Sequence, residues 1–549
     1  MTLADPPSYA VRIPAAPPDE TTTGPVAPPR RRPSVPAGVE RVAWAVALVA
    51  AAVGMGLRFV GPHGLWLDEA LTVNIARLPL PRLFDALRHD GSPPAYYVAL
   101  HYWMGLFGTG TATVRALAGV FSLATIPVAW RLGRAVGGRR VAGAAAVLVA
   151  CTPFALRYGT ENRMYSLVML LATIAGLCLI RALQRPTVGR LFAFGVTCGL
   201  LLLTHYWALY LVAGLGACLA VASVWGPVRA HARPALAALC GGGLLFVPWA
   251  PSFFFQAQHT GTPWATASSP MMLIDAVGEF AGWEQHNGIV VFVIYCVVLG
   301  ILAGALILRG VPVTRGLATL IGWKRPVPGA RLAGPVAALF FATMLLAMVG
   351  GMLAGAAFAY RYASVVMPFV VLLVALGVVA VGHTRPGRML APLLLAALAV
   401  CGTIAGAQEI LGPRTQAVAV AAAIAGSAQP GDVVAYCPDQ LGPAVSRLLP
   451  NRLLTQVTYP RFDDPQRINW VDYGQVNLDA NPGVFARQIL NLAGAHQIWL
   501  VWEPGYRTLG RSCQEIRDAL EVARPDHSSK VRSAPQYYEH ENLLRFAPD

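Results

Sequence analysis

Charge is scarce in this chain, and acidic charge is the scarcest. Of its 549 residues 13% are charged, and only Lys324 and Lys530 are lysines. A soluble domain usually carries about 25% charged residues, so an ordinary soluble globular chain is excluded. Between Gly91 and Gln408 the only acidic residues are Glu161, Asp275, Glu279 and Glu284. Neither a P-loop nor a G-x-G-x-x-G loop is present, which argues against a cytoplasmic enzyme acting on a nucleotide sugar. No Cys-x-x-Cys pair or His/Cys cluster has metal-ligand spacing. The sequence therefore demands no cofactor, while a divalent metal stays compatible with it. There is no internal repeat.

What the chain has in abundance is apolar length. Hydrophobic residues make up 56% of it, in repeated runs of ~18 to 25 residues separated by short basic loops, the mark of a polytopic α-helical membrane protein. The net charge of +15 is spread over arginine clusters at 30–32 with Arg41, 131–140, 181–190, 229–233, 309–331, and Arg385 with Arg388. That spacing follows the positive-inside rule and argues against a nucleic-acid partner. Setting each cluster on the cytoplasmic side predicts about eleven transmembrane helices, near 42–60, 113–131, 141–157, 164–180, 191–204, 208–226, 235–252, 288–308, 333–357, 364–382 and 389–406. Segment 94–107 is long enough to tempt, but a crossing there would invert every later basic loop. It reads instead as a re-entrant or interfacial helix in the first outer loop, where Tyr96, Tyr97, His101, Tyr102 and Trp103 suit an interface.

This topology gives a multi-pass cell-membrane protein in three parts. Residues 1–40, rich in Pro and Arg, form a disordered cytoplasmic tail with no cleavable signal ahead of the first span. Residues 41–406 form the membrane bundle. Residues 407–549 turn globular and fall outside the cytoplasm. In that last part 431–436 and 497–502 read as buried strands, and 444–449, 484–492 and 513–523 as helices, so a small α/β domain is expected. Seven of the nine cysteines fall in predicted spans as small apolar fillers. Cys437 and Cys513 are the two in the C-terminal domain, and a disulfide between them suits an oxidising compartment.

No predicted span contains a carboxylate, which weighs against a cation-coupled transporter. The acids gather on the outer face instead. Asp68-Glu69 directly follows the first span and precedes an expected helix at 70–76, so its bland reading is a pair of helix-capping acids. A second polar stretch, Arg157-Tyr158-Gly159-Thr160-Glu161-Asn162-Arg163-Met164-Tyr165, lies between two apolar runs on the same face, where its arginines alone would read as headgroup anchors. Thr204-His205-Tyr206-Trp207 and Ala359-Tyr360-Arg361-Tyr362-Ala363 end two further spans there.

Taken in order, the Asp68-Glu69 pair, Ser92-Pro93-Pro94-Ala95-Tyr96-Tyr97, Glu161 to Tyr165, and Arg361-Tyr362 with Pro368 resemble the GT-C integral-membrane glycosyltransferases. The similarity is to the bacterial branch related to protein O-mannosyltransferases and lipid A aminoarabinose transferases, and covers about residues 42–400. The resemblance implies transfer of a sugar from a polyprenyl-phosphate donor to an extracytoplasmic glycan, glycolipid or protein acceptor at the lipid bilayer. It gives Asp68 the role of base and Glu69 that of a second acid or acceptor-positioning group. Glu161, holding Arg163 or a sugar hydroxyl, would position sugar or acceptor with Asn162, His205 and Tyr206. Arg163, Arg361, Tyr362 and His89 would meet the donor phosphate. In-line attack with one base implies inversion. Mannose is the favoured sugar and arabinofuranose the alternative. The missing first-loop lysine departs from relatives that grip phosphate with one. A flippase for lipid-linked sugars, or an inactive glycan-binding relative, are the competing readings.

Overall fold

In the computed structural model the described residues are 37–261, 266–307, 329–354, 357–383, 387–449, 453–506 and 508–548. The expected tail at 1–40 lies almost wholly outside them, as does most of the basic loop at 309–331.

The chain is a helical bundle carrying a small sheet domain at its C-terminal end. Helix α1 (Ala37–Leu57) leads to three short helices, α2 (Leu67–Ala76), α3 (Leu80–Asp90) and α4 (Ala95–Phe107). The bundle continues with α5 (Thr111–Cys151), α6 (Pro153–Gly159), α7 (Tyr165–Gln184), α8 (Val188–Leu202), α9 (Ala208–Val224), α10 (Arg229–Gly243) and α11 (Ala250–His259). It closes with α12 (Met272–Ala281), α13 (His286–Ile307), α14 (Ala330–Ala354), α15 (Met367–Val381) and α16 (Gly387–Leu411). Among the described residues seven helical segments are long and apolar enough to cross a bilayer, and α8, α9 and α15 are shorter apolar helices.

Helix α5 accounts for two of the expected spans at once. Gly137 (φ −142°) and Gly138 (φ 80°) leave helical geometry in its middle, the second in a region that only glycine enters freely. The first arm then matches 113–131, and the second, continued past Thr152 by α6, matches 141–157, with the arginine cluster at the bend. Helix α4 has 13 residues, or ~20 Å of rise against ~30 Å of hydrocarbon, too short to span upright.

Close helix contacts rest on small residues. A Cβ on Gly195 of α8 would lie 2.4 Å from the carbonyl oxygen of Ala238 in α10, so the backbones meet directly, as is common in membrane bundles. Arg58, just past α1, is fully buried. Its guanidinium donates to the carbonyls of Gly54 (2.6 Å), Ala150 (2.9 Å) and Val149 (2.8 Å), and its Nε to Ser122 Oγ (2.8 Å). It thereby binds the end of α1 to both arms of α5.

A two-stranded ribbon, β1 (Thr266–Ala267) with β2 (Ala357–Phe358), runs antiparallel beside the bundle. In the C-terminal domain β3 (Val433–Cys437), β4 (Thr455–Thr458), β5 (Ile498–Trp502), β6 (His527–Val531) and β7 (Asn542–Phe546) form one sheet in the order β4-β3-β5-β7-β6. β3 is parallel to β4 and β5, while β7 is antiparallel to β5 and β6. The central β3 and β5 are buried along their whole length, which is why they read as continuous apolar runs. β4, β6 and β7, with their polar positions, gave no such signal. Helices α17 (Ala417–Ala425), α18 (Gly442–Ser446), α19 (Tyr473–Asp479), α20 (Pro482–Ala493) and α21 (Ser512–Ala523) complete the domain. Cys437, at the end of β3, is bonded to Cys513 of α21, with Cα atoms 5.4 Å apart. The domain grips the bundle through polar contacts: Asn74 Nδ2 donates to the Gln466 carbonyl (2.8 Å), and the Trp470 amide to that of His89 (3.1 Å).

Candidate active site

Helix α2 starts at Leu67, three residues before the expected 70–76, so Asp68 and Glu69 sit inside its first turn. Successive helical positions point about 100° apart, and the two carboxylates part company. Glu69 is 1% exposed. Arg115 grips it with a fork, Nε to Oε1 at 2.8 Å and Nη2 to Oε2 at 2.5 Å, and the Asn162 amide adds a bond to Oε1 at 2.8 Å. Its acceptor capacity is largely taken up by the scaffold.

Asp68 faces the other way, toward two arginines. Its Oδ2 lies 3.8 Å from Arg163 Nε and 3.7 Å from Arg361 Nη2. Both separations exceed hydrogen-bond length. That Oδ2, Arg163 Nε and Arg361 Nε are all buried without a hydrogen-bond partner. Three charged groups thus converge with bonding capacity unspent, which natural structures seldom leave unexplained. Arg163 is anchored through Nη1, which donates to Thr72 Oγ1 (2.8 Å) and Tyr97 OH (3.3 Å). Tyr97 OH in turn donates to Asp90 Oδ2 (3.1 Å). Burial pushes the Asp90 carboxyl up, against the opposing pull of Arg163, Ser92 and Tyr97. Burial also works against the charge of Arg163 and Arg361. The phenol oxygen and carboxylate beside each, Tyr97 and Asp68 for the first and Tyr165 and Asp68 for the second, outweigh it, with Asp68 the anion shared by both, and both stay cationic.

His205 completes the far wall. Its ring sits between Tyr165 (5.8 Å) and Tyr362 (5.2 Å). The Trp207 amide donates to Nδ1 (3.1 Å), which leaves the proton of the neutral ring on Nε2. Burial first, then Arg163 and Arg361, lowers its pKa to about 3, so it stays neutral and can donate from Nε2. Tyr362 also lies under the Arg361 guanidinium (5.8 Å) and packs on Trp207 (5.8 Å).

Other expected residues sit elsewhere or act as scaffold. Glu161 pairs with Arg414 (2.7 Å), not with Arg163. Asn162 is fully buried and accepts from Tyr96 OH (3.0 Å). Tyr206 OH bonds Gln256 and receives the Trp249 indole N–H (2.9 Å), a network leading toward α3. His89 Nδ1 meets the Asp85 carbonyl of its own helix (2.9 Å), and its ring edge meets Phe255 (6.4 Å). Neither contact leads to the Asp68 cluster. Arg157 and Arg163 are drawn inward rather than to headgroups: Arg157 lies 3.4 Å from Glu409 and 3.8 Å from Glu279. Among the described residues no three His, Cys, Asp or Glu side chains are grouped to hold a metal.

Sequence reasoning passed over Thr72, Arg115 and Arg414, and set Asp90 only among the acids of the outer face. Arg115 and Arg414 had one available signal: each is an arginine near a span end outside the cytoplasmic clusters, where its charge meets either a headgroup or a carboxylate.

Residues 91–251 match the family described as dolichyl-phosphate-mannose-protein mannosyltransferase. No curated protein matches the chain. Two solved structures of ArnT from Cupriavidus metallidurans are similar in fold. The apo form gives a TM-score of 0.60 at 14% identity, covering 92% of this chain and 98% of that one. The form bound to undecaprenyl phosphate gives 0.58 at 15% identity, covering 93% and 98%. The chain thus shares its fold with the two ArnT structures over nearly its whole length, and residues 91–251 carry the pattern of the mannosyltransferase family.

Proposed function

We propose that the chain transfers a sugar from a polyprenyl-phosphate donor to an acceptor hydroxyl outside the cytoplasm, with inversion at the anomeric carbon. The observation that carries this reading is the Asp68 cluster: one carboxylate oxygen between two guanidiniums, close enough for attraction and too far for bonding. A phosphate oxygen that met the idle Nε donors would spend their capacity. The fold shared with a protein solved with undecaprenyl phosphate supports a lipid-borne donor.

In the proposed step the Asp68 carboxylate takes the proton of the acceptor hydroxyl. The acceptor oxygen bonds to the anomeric carbon as the bond from that carbon to the phosphate oxygen breaks. The electron pair leaves with the lipid phosphate, whose added charge Arg163 and Arg361 offset in a poorly hydrated site. His205 Nε2–H is a neutral donor on the same side. Mannose is the favoured sugar, in line with the matched family's description, and arabinofuranose the alternative. The acceptor is an envelope glycan, glycolipid or protein, and the C-terminal domain lies on the acceptor side.

The test is glycosyl transfer by purified protein in lipid, with polyprenyl-phosphate mannose, polyprenyl-phosphate arabinose and a mixed envelope acceptor extract. Turnover of one donor is expected, with Asp68→Asn slower by ~10²–10⁴, the usual worth of a positioned base. Equal turnover by the variant would remove Asp68 as base. Translocation of both lipids without transfer would overturn the enzyme reading.

A further inference from the structure

Helix α2 carries Asp68 but lacks a cap of its own. The residue before it, Trp66, makes no side-chain capping bond, and a helix start leaves four backbone N–H groups without internal partners. The Leu67 amide, next to Asp68, donates to Oε1 of Glu539 at 3.1 Å. Glu539 belongs to the C-terminal domain and is 5% exposed. We infer that Glu539 is a positioning residue for the transfer reaction, capping the Asp68 helix from the C-terminal domain and so setting where the base stands. The inference rests on the function proposed above.

The backbone around Glu539 is held from both sides. Its amide donates to the Arg414 carbonyl (2.8 Å), and its carbonyl accepts from Gln416 (3.0 Å). Arg414 is the partner of Glu161, so the segment paired with Glu539 also holds the stretch that carries Arg163. Beside Glu539 the Tyr538 ring meets Trp66 edge-to-face at 5.5 Å. The segment entering α2 is thus fixed by one hydrogen bond and one aromatic contact from the same dipeptide. The Glu539 carboxyl also lies against Thr415, while its Oε1 contact is the one that reaches α2.

The reach of the side chain and its carboxyl group can be separated. Glu539→Gln keeps an oxygen at the same distance and removes the titratable proton. Glu539→Asp keeps the carboxyl and draws the oxygen back by one methylene. Glu539→Leu removes both. We expect Gln to keep kcat within about twofold and Asp and Leu to lose at least about tenfold, since ångström-scale misplacement of a reacting group costs of the order of 10²-fold. Donor KM should move little in all three. Amide hydrogen exchange across 66–72 gives a readout independent of activity: protection should persist in Gln and fall in Asp and Leu. Equal exchange in wild type and Asp would overturn the inference, as would an Asp variant with full kcat or a loss confined to KM. Protection that behaves as expected in a protein without transfer activity would count against the proposed function and leave the cap standing.

Discussion

Arg115 clasps both oxygens of Glu69, at 2.8 Å and 2.5 Å, while the neighbouring Asp68 carboxylate has no guanidinium within hydrogen-bond reach on Oδ2. Two adjacent acids are therefore held differently, one clamped by the scaffold and one, on the proposed function, left for chemistry. Arg115→Met should leave Glu69 buried and unpaired, at a cost of ~3–5 kcal/mol. Thermal unfolding in lipid nanodiscs should fall sharply for Arg115→Met and little for Asp68→Asn. The reverse order would contradict the division.

Arg361→Lys keeps a positive charge and loses the planar fork. With one charge-assisted hydrogen bond at stake, ~1.5–3 kcal/mol, donor KM should rise by roughly tenfold to a hundredfold, with stability unchanged. A donor titration that matched wild type would take Arg361 out of the phosphate contact.

His205 has an acid-stability signature. Burial, Arg163 and Arg361 bring its pKa down from 6.5 to about 3. Between those values the unfolded chain binds a proton that the folded chain refuses, so stability rises with pH there and is lost as pH falls through the window. His205→Asn should flatten that limb in unfolding scans from pH 7 to 4. It should leave stability above pH 7 with no new slope. An unchanged acid limb would mean that the ring is protonated in place.

The topology has a test that needs no assumption about which side is out. Leu106 of α4 and Val522 of the C-terminal domain are both exposed. In a background lacking the seven free cysteines, Leu106→Cys and Val522→Cys should react with an impermeant thiol reagent from the same face. Labelling from opposite faces would make α4 a crossing helix.

Fold and site were legible to different depths. Apolar runs and arginine clusters report a one-dimensional property, distance across a bilayer, so the helices at 165–184 and 286–307 fell where periodicity and charge predict. Gly137 and Gly138 were legible only as a loop between spans, since a bend that keeps helical hydrogen bonding on both sides has the same composition. Asp68, Arg163 and Arg361 stood out because they lie at span ends on the face opposite the arginine clusters. The partners were hidden. Nothing local says that Glu161 takes Arg414 rather than the nearby Arg163, because that choice is made by how α16 packs against the loop. The antiparallel half of the sheet escaped for a related reason: β6 is largely exposed and has no apolar run to announce it.

Arg58 has a consequence for the charge balance where α1 and α5 end. Two helix ends point their carbonyls at one guanidinium, and each helix end carries about half a negative charge. One arginine therefore nearly cancels two dipoles. Without it, the ends of α1 and of α5 would turn carbonyls with partial negative charge toward each other in a buried space. Local neutrality there lets the two helix ends stay packed, so a residue that touches neither Asp68 nor its arginines fixes the frame from which residues 59–66 lead into α2.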